Sequence, residues 1–129
     1  MIKELLVPLD GTEESLRALP AAARLAQEMG ADVSVLMVTE PQIDAVVDEL
    51  WLEAHLASSG VDVRRKVLAP AADVTTTILE VADESPGTVV CMSSHGWRAL
   101  RTALRGSVSA EVVRRSTRPV IVVGPEAVA

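Results

Sequence analysis

The chain of 129 residues carries 12 Lys and Arg against 18 Asp and Glu, a formal net charge of -6, with 49% of its residues hydrophobic. That balance describes one soluble globular domain over residues 1–129 and excludes a protein held to nucleic acid by bulk positive charge, because neutralising phosphates needs a basic face. Phe and Tyr are absent and Cys91 is the single cysteine, so the core is aliphatic and neither base-stacking platforms nor a disulfide or cysteine-rich zinc framework can be built.

The chain then reads as alternating strands and helices. Lys3 to Leu9 is an apolar run broken by Pro8 and closed by Asp10 and Gly11, the pattern of a buried strand and its loop. Thr12 offers an N-cap with Glu13 and Glu14 in the first turn, and Leu16, Leu19, Ala23, Ala26 and Met29 recur at helical spacing up to Gly30. Asp32 to Thr39 is a second strand. Ile43, Val46, Val47, Leu50, Ala54 and Ala57 predict the buried face of a second helix, ending near Gly60. Asp62 to Leu68 alternates, with Arg64 and Lys66 opposite Val63 and Val67, as an edge strand with one wet face does. Val74, Ile78, Val81 and Ala82 make a third helix stopped by Pro86 and Gly87. Thr88 to Met92 is continuously apolar, a strand covered on both faces. Gly106-Ser107 opens a fourth helix running to about Ser116, and Pro119 to Val123 is the fifth strand. The alternation predicts a parallel sheet with helices on both faces.

In such sheets ligands bind beyond the carboxyl ends of the strands, where the winding reverses. The informative loops are Asp10-Gly11-Thr12 and the segment from Ser93 to Ser107. Gly106-Ser107 before a helix presents free N–H groups to an anion, and Ser93 to Gly96 is a second small-residue turn. Arg98, Arg101 and Arg105 lie between them at spacings of 3 and 4. Neither G-x-x-x-x-G-K-[ST] nor G-x-G-x-x-G occurs, so a nucleotide site here is neither a P-loop nor a dinucleotide fingerprint. A triad of Ser93 or Ser94 with His95 and Asp10 is not expected, since neighbours in one turn do not present a nucleophile to its base and no G-x-S-x-G elbow is present. His55 reads as a surface histidine and Cys91 as buried and inert. No stretch approaches the roughly 18 apolar residues of a membrane span and no signal peptide is visible, so a cytoplasmic location is expected.

Val7-Pro8-Leu9-Asp10, Leu36-Met37-Val38, Val90 to Gly96, Gly106-Ser107-Val108 and Arg118 to Val123, in this order, resemble the universal stress protein family over nearly the whole chain. The resemblance implies a doubly wound five-stranded parallel sheet of order 3-2-1-4-5, binding of ATP or another adenine nucleotide in one branch, and homodimers. Gly96, the residues 97–105 and Gly106-Ser107 fit the nucleotide-binding members' spacing, whereas Ser93 stands at the first glycine and Ala69-Pro70 where glycine is frequent. Carried over, the site comprises Pro8, Leu9 and Asp10, Val38, then Met92, Ser93, His95, Gly96 and Arg98, and finally Gly106, Ser107 and Val108. On that pattern Asp10 lies near the ribose or a phosphate-bound Mg²⁺, the backbone at Val38 meets the adenine, and Gly96, Gly106, Ser107 and Val108 wrap the phosphates. Binding without rapid turnover is the leading reading, with a nucleotide-free dimeric module and a slow ATPase or autophosphorylating protein as alternatives.

Two expectations follow from placement. A hydrophobic edge strand must be covered or paired, so Val120, Ile121, Val122 and Val123 are expected to join a second copy about a two-fold axis. Between residues 93 and 119 six arginines face Glu111 alone, a local +5, so the rest of the chain carries -11. An acidic protein thus keeps its positive charge beside the proposed phosphate loop.

Overall fold

The computed structural model describes residues 1–39, 45–70, 73–94 and 107–124. Five strands, β1 (Glu4–Leu9), β2 (Asp32–Thr39), β3 (Val63–Pro70), β4 (Thr88–Ser93) and β5 (Val120–Val123), alternate with the helices α1 (Ala18–Met29), α2 (Ala45–Ser59), α3 (Val74–Ala82) and α4 (Ser107–Arg115). Every strand pairing is parallel and the sheet order is β3-β2-β1-β4-β5.

Side-chain alternation sorts the core into two layers. Leu5, Val7, Leu9, Val33, Val35 and Met37 pack beneath α1 and α2, joined by Leu19, Ala22, Leu52 and Leu56. Leu6, Leu36, Val38, Val90 and Met92 pack on the other face against Ile78 and Val81 of α3 and Val112 of α4. Helices on both faces explain why β1, β2 and β4 read as continuous apolar runs.

Three local readings are corrected. Thr12 does cap, its Oγ1 accepting from the Ser15 N–H at 3.3 Å, but what it caps is a 3₁₀ turn over Glu14–Arg17, and α1 proper starts at Ala18. On α2 the inward face is Asp48, Leu52 and Leu56, while Val46, Val47 and Leu50 are exposed, Leu50 to 65%. The helix is apolar on two sides, so periodicity alone could not say which side meets the sheet. His55 of this helix is half-buried, its ring stacked on Trp51 at 4.3 Å and its Nδ1 2.8 Å from the Trp51 carbonyl oxygen. On β3 a register shift sets Val33 opposite Val63 but Ser34 opposite Arg65. One extra residue, Arg64, flips the pleat, so Val63 packs beneath α1 and α2 whereas Val67 joins the opposite layer.

The amino ends of the strands are tied by one carboxylate. Glu4 accepts from the hydroxyls of Ser34 on β2 at 2.6 Å and Thr88 on β4 at 2.9 Å, and it meets Arg65 of β3 at 3.4 Å. Arg65 also reaches Glu84 beyond α3 at 3.2 Å. Four strands are thereby joined around a single side chain.

Candidate functional site

The chain runs outward from β1 to β2 and β3, then returns to β4 on the other flank of β1, so the reversal lies between β1 and β4. Pro8 acts at that point. The Glu4 N–H donates to the Gly87 carbonyl, so by the two-residue period of a strand Pro8 faces β4 as well. Lacking an N–H, it cannot continue the ladder. Pairing of β1 with β4 accordingly ends at Leu6–Val90, although β1 remains paired with β2 through Leu9–Met37 and β4 with β5 through Ser93–Val123. The sheet therefore lacks lateral backbone bonding at the crevice where a ligand enters such a fold.

Asp10 stands directly after β1 and is 1% exposed. Its Oδ1 accepts from the Thr12 N–H at 2.9 Å and the Thr12 hydroxyl at 2.6 Å. The Asp10 N–H donates to Ser15 Oγ at 3.3 Å, and the Ser15 hydroxyl donates to the Thr12 carbonyl at 2.7 Å. Asp and Thr hydroxyl and carboxyl groups of this kind stabilise a loop by bonding backbone two or three residues on. The result is a carboxylate held in one orientation at the rim of the crevice.

The remaining residues divide by what they offer. Leu9 is buried beneath α1 and α2, and Val38 and Met92 are buried in the opposite layer. Their side chains hold the strand ends in place, and a ligand would meet their backbone. Ser93 ends β4 and is 6% exposed. Ser107 opens α4, whose direction brings the chain back from the carboxyl to the amino edge, so its first N–H groups open on the same edge as Asp10. The Val108 side chain packs into the core against the α3 and α4 layer. His95, Gly96, Arg98 and Gly106, with Arg101 and Arg105, lie outside the described residues.

Among the described residues no group of three or more His, Cys, Asp or Glu could hold a metal ion. Asp10 already commits one oxygen to Thr12, so a divalent ion here would need most of its ligands from a bound phosphate chain and water. Burial pushes the Cys91 thiol up to about 11, well away from thiolate chemistry. An open cleft of about 520 Å³ lies at the opposite edge, lined by Lys3, Glu4, Asp32, Ser34, Arg64 and Arg65 among others. Its charges largely answer one another through the Arg64–Asp32 and Arg65–Glu4 pairs, so the carboxyl-end crevice remains the better candidate.

Thr39 is the residue that sequence reasoning passed over. It closes β2 at the same edge, is 6% exposed, and its hydroxyl has no hydrogen-bond partner among the described residues. The available signal was a hydroxyl residue ending an otherwise apolar strand at the end where ligands bind.

The family model described as the universal stress protein family matches residues 1–124. Universal stress protein YxiE of Bacillus subtilis is 28% identical over 147 residues, covering 95% of this chain and 99% of the relative. A universal stress protein solved in complex with cAMP superposes with a TM-score of 0.71 at 25% identity, covering 97% of this chain and 98% of that one. Universal stress protein UspA from Lactobacillus plantarum shares the fold, with a TM-score of 0.68 at 22% identity over 94% and 97% of the two chains. No helix among the described residues is long and apolar enough to cross a membrane. With the family model spanning almost every residue and the sheet order and crevice in agreement, this chain belongs to the universal stress protein family.

Proposed function

We propose that this chain, one domain over residues 1–129, is a cytoplasmic stress-response protein that binds ATP or a related adenine nucleotide at the carboxyl ends of β1, β2 and β4, without rapid turnover. The observation that carries the reading is the buried, hydrogen-bonded Asp10 beside the ladder that Pro8 interrupts. A relative of the same fold bound to cAMP supports the ligand class. Asp10 and the strand ends at Val38 and Met92 would face the nucleoside, and Ser93, His95, Gly96, Arg98, Gly106, Ser107 and Val108 the phosphates. Mg²⁺ would arrive with the phosphates and meet Asp10, where it neutralises phosphate charge. Asp10 is the only acidic side chain in this set and is fixed as an acceptor, which suits binding better than proton transfer. Calorimetry with ATP tests the reading. Saturable binding that Gly106→Val weakens is expected, because a branched side chain crowds a phosphate loop; no heat of binding at millimolar ATP would refute it.

β5 is the second part of the reading. It pairs only with β4 and leaves its other edge open, with Val122 42% exposed. Two copies joined edge to edge would satisfy that edge. Light scattering after size exclusion should give twice the chain mass of 13.7 kDa, and a monomer at micromolar concentration would rule the dimer out. A nucleotide-free dimeric module is the second reading, favoured by Ser93, whose side chain occupies space that a glycine would leave to the ligand. Identifying by mass whatever the purified protein releases on denaturation separates the two.

A further inference from the structure

We propose that Thr39 is a specificity-determining residue of the nucleotide site, its hydroxyl hydrogen-bonding a polar atom of the nucleoside half of the bound nucleotide; the inference rests on the binding reading above. A hydroxyl taken out of water without a partner is costly, and buried polar groups in folded proteins are nearly always paired. The strands of this protein follow that rule at their amino ends, where the buried Ser34 and Thr88 both donate to Glu4. Thr39, at 6% exposure, departs from it at the carboxyl end of β2.

Its surroundings do not supply what is missing. The residue opposite Thr39 on β3 is Pro70, which has neither an N–H nor a polar side chain. Alternation along β2 puts Thr39 on the face of Val33, Val35 and Met37, which is apolar. A valine would satisfy the packing and avoid the unmet hydroxyl, so the oxygen is explained by a partner that arrives from outside the fold. Buried groups left unpaired in the free protein and satisfied on binding are also what makes a site discriminate between ligands.

Strand order decides which part of the ligand that partner is. β2 lies two strands from β4 and three from β5, roughly 10 and 14 Å at the usual strand spacing. The proposed phosphate contacts sit at the end of β4 and the start of α4. A hydroxyl at the end of β2 is therefore about one nucleoside away from them and faces the base or ribose.

Calorimetry on wild type, Thr39→Val and Thr39→Ser tests this, with ATP, adenosine and inorganic triphosphate as probes, alongside thermal unfolding of each unliganded protein. Thr39→Val should weaken ATP and adenosine at least about fivefold, the value of one neutral hydrogen bond, leave triphosphate unchanged, and keep or raise the unfolding midpoint. Thr39→Ser should bind within about twofold of wild type, since it keeps the hydroxyl. Unchanged ATP affinity in Thr39→Val, or an equal loss for triphosphate, overturns the assignment while leaving nucleotide binding intact. A lowered midpoint with unchanged affinity assigns the hydroxyl to the fold instead. Wild type that binds neither ATP nor adenosine sinks the binding reading, and this inference with it.

Discussion

Removing the Glu4 carboxylate is expected to unfold the protein more readily than any single surface change. Ser34 and Thr88 each donate to it, at 2.6 and 2.9 Å, and both are almost fully buried. Hydrogen bonds to a charged acceptor contribute about 1.5–3 kcal/mol each, and a buried hydroxyl left unmet costs about 1–3 kcal/mol. The Arg65 pair adds little, because that guanidinium is 37% exposed and screened. These terms overlap, and Glu4→Ala should cost roughly 3–5 kcal/mol, against a total stability on the order of 6–19 kcal/mol for a chain of this length. Glu4→Gln separates hydrogen bonding from charge. Its amide keeps one acceptor oxygen, and the second hydroxyl can turn round and accept from the NH₂ group, so the loss should be only about 1–2 kcal/mol. Urea unfolding monitored by circular dichroism reads both, with the midpoint moving and the slope unchanged. Because the site lies at the far end of strands roughly 20 Å long, nucleotide affinity of the folded variants should not move. A Glu4→Ala loss below about 1 kcal/mol, or a Glu4→Gln loss equal to it, would refute the reasoning.

Gly87→Ala should destabilise by about 2 kcal/mol or more, since φ there is +91° and a Cβ would sit 2.8 Å from the Met1 carbonyl oxygen; Gly30→Ala, at φ +68° with nothing within 4 Å, should cost only about 1 kcal/mol in the same urea titration. Cys91 should resist a thiol reagent at pH 8 in the native protein and react at once in urea. Its thiol is raised from 9.0 to about 11 by burial, so the unfolded chain ionises first and stability should fall between about pH 9 and 11. That contribution is to be read as the difference from Cys91→Ala, and identical slopes for the two would contradict it. Asp73 caps α3, its pKa held below 3.8 by hydrogen bonds from the Thr76 hydroxyl and N–H. Its contribution is present above pH 3.8 and is lost as the pH falls through the lowered value, so Asp73→Asn should flatten the acid limb of the unfolding profile. Equal acid limbs in the two proteins would count against the cap.

Much of the site was legible because its signals are local. Asp10 after an apolar strand, Thr12 two residues on and Gly106-Ser107 before a helix are read from adjacent residues, and the structure places the described ones at a common edge. Thr39 was not legible. Its significance depends on the absence of a partner, and partners come from β3, which is 24 or more residues further along the chain. The same holds for Glu4, whose bonds to Ser34 and Thr88 span 30 and 84 residues.

The sequence by itself determined the alternation of five strands with helices, since a two-residue or 3.6-residue apolar period is a property of neighbours in the chain. Three things were decided only by the tertiary structure. The single extra residue at Arg64 reversed the faces of β3, because a bulge shows only against a paired strand. Of the two apolar sides of α2, packing against the sheet chose Leu52 and Leu56 and left Val47 and Leu50 outside. And Pro8, legible in the sequence only as a break in an apolar run, became the residue that ends the β1–β4 ladder, because which side of a strand lacks its N–H has meaning only once a neighbour lies there.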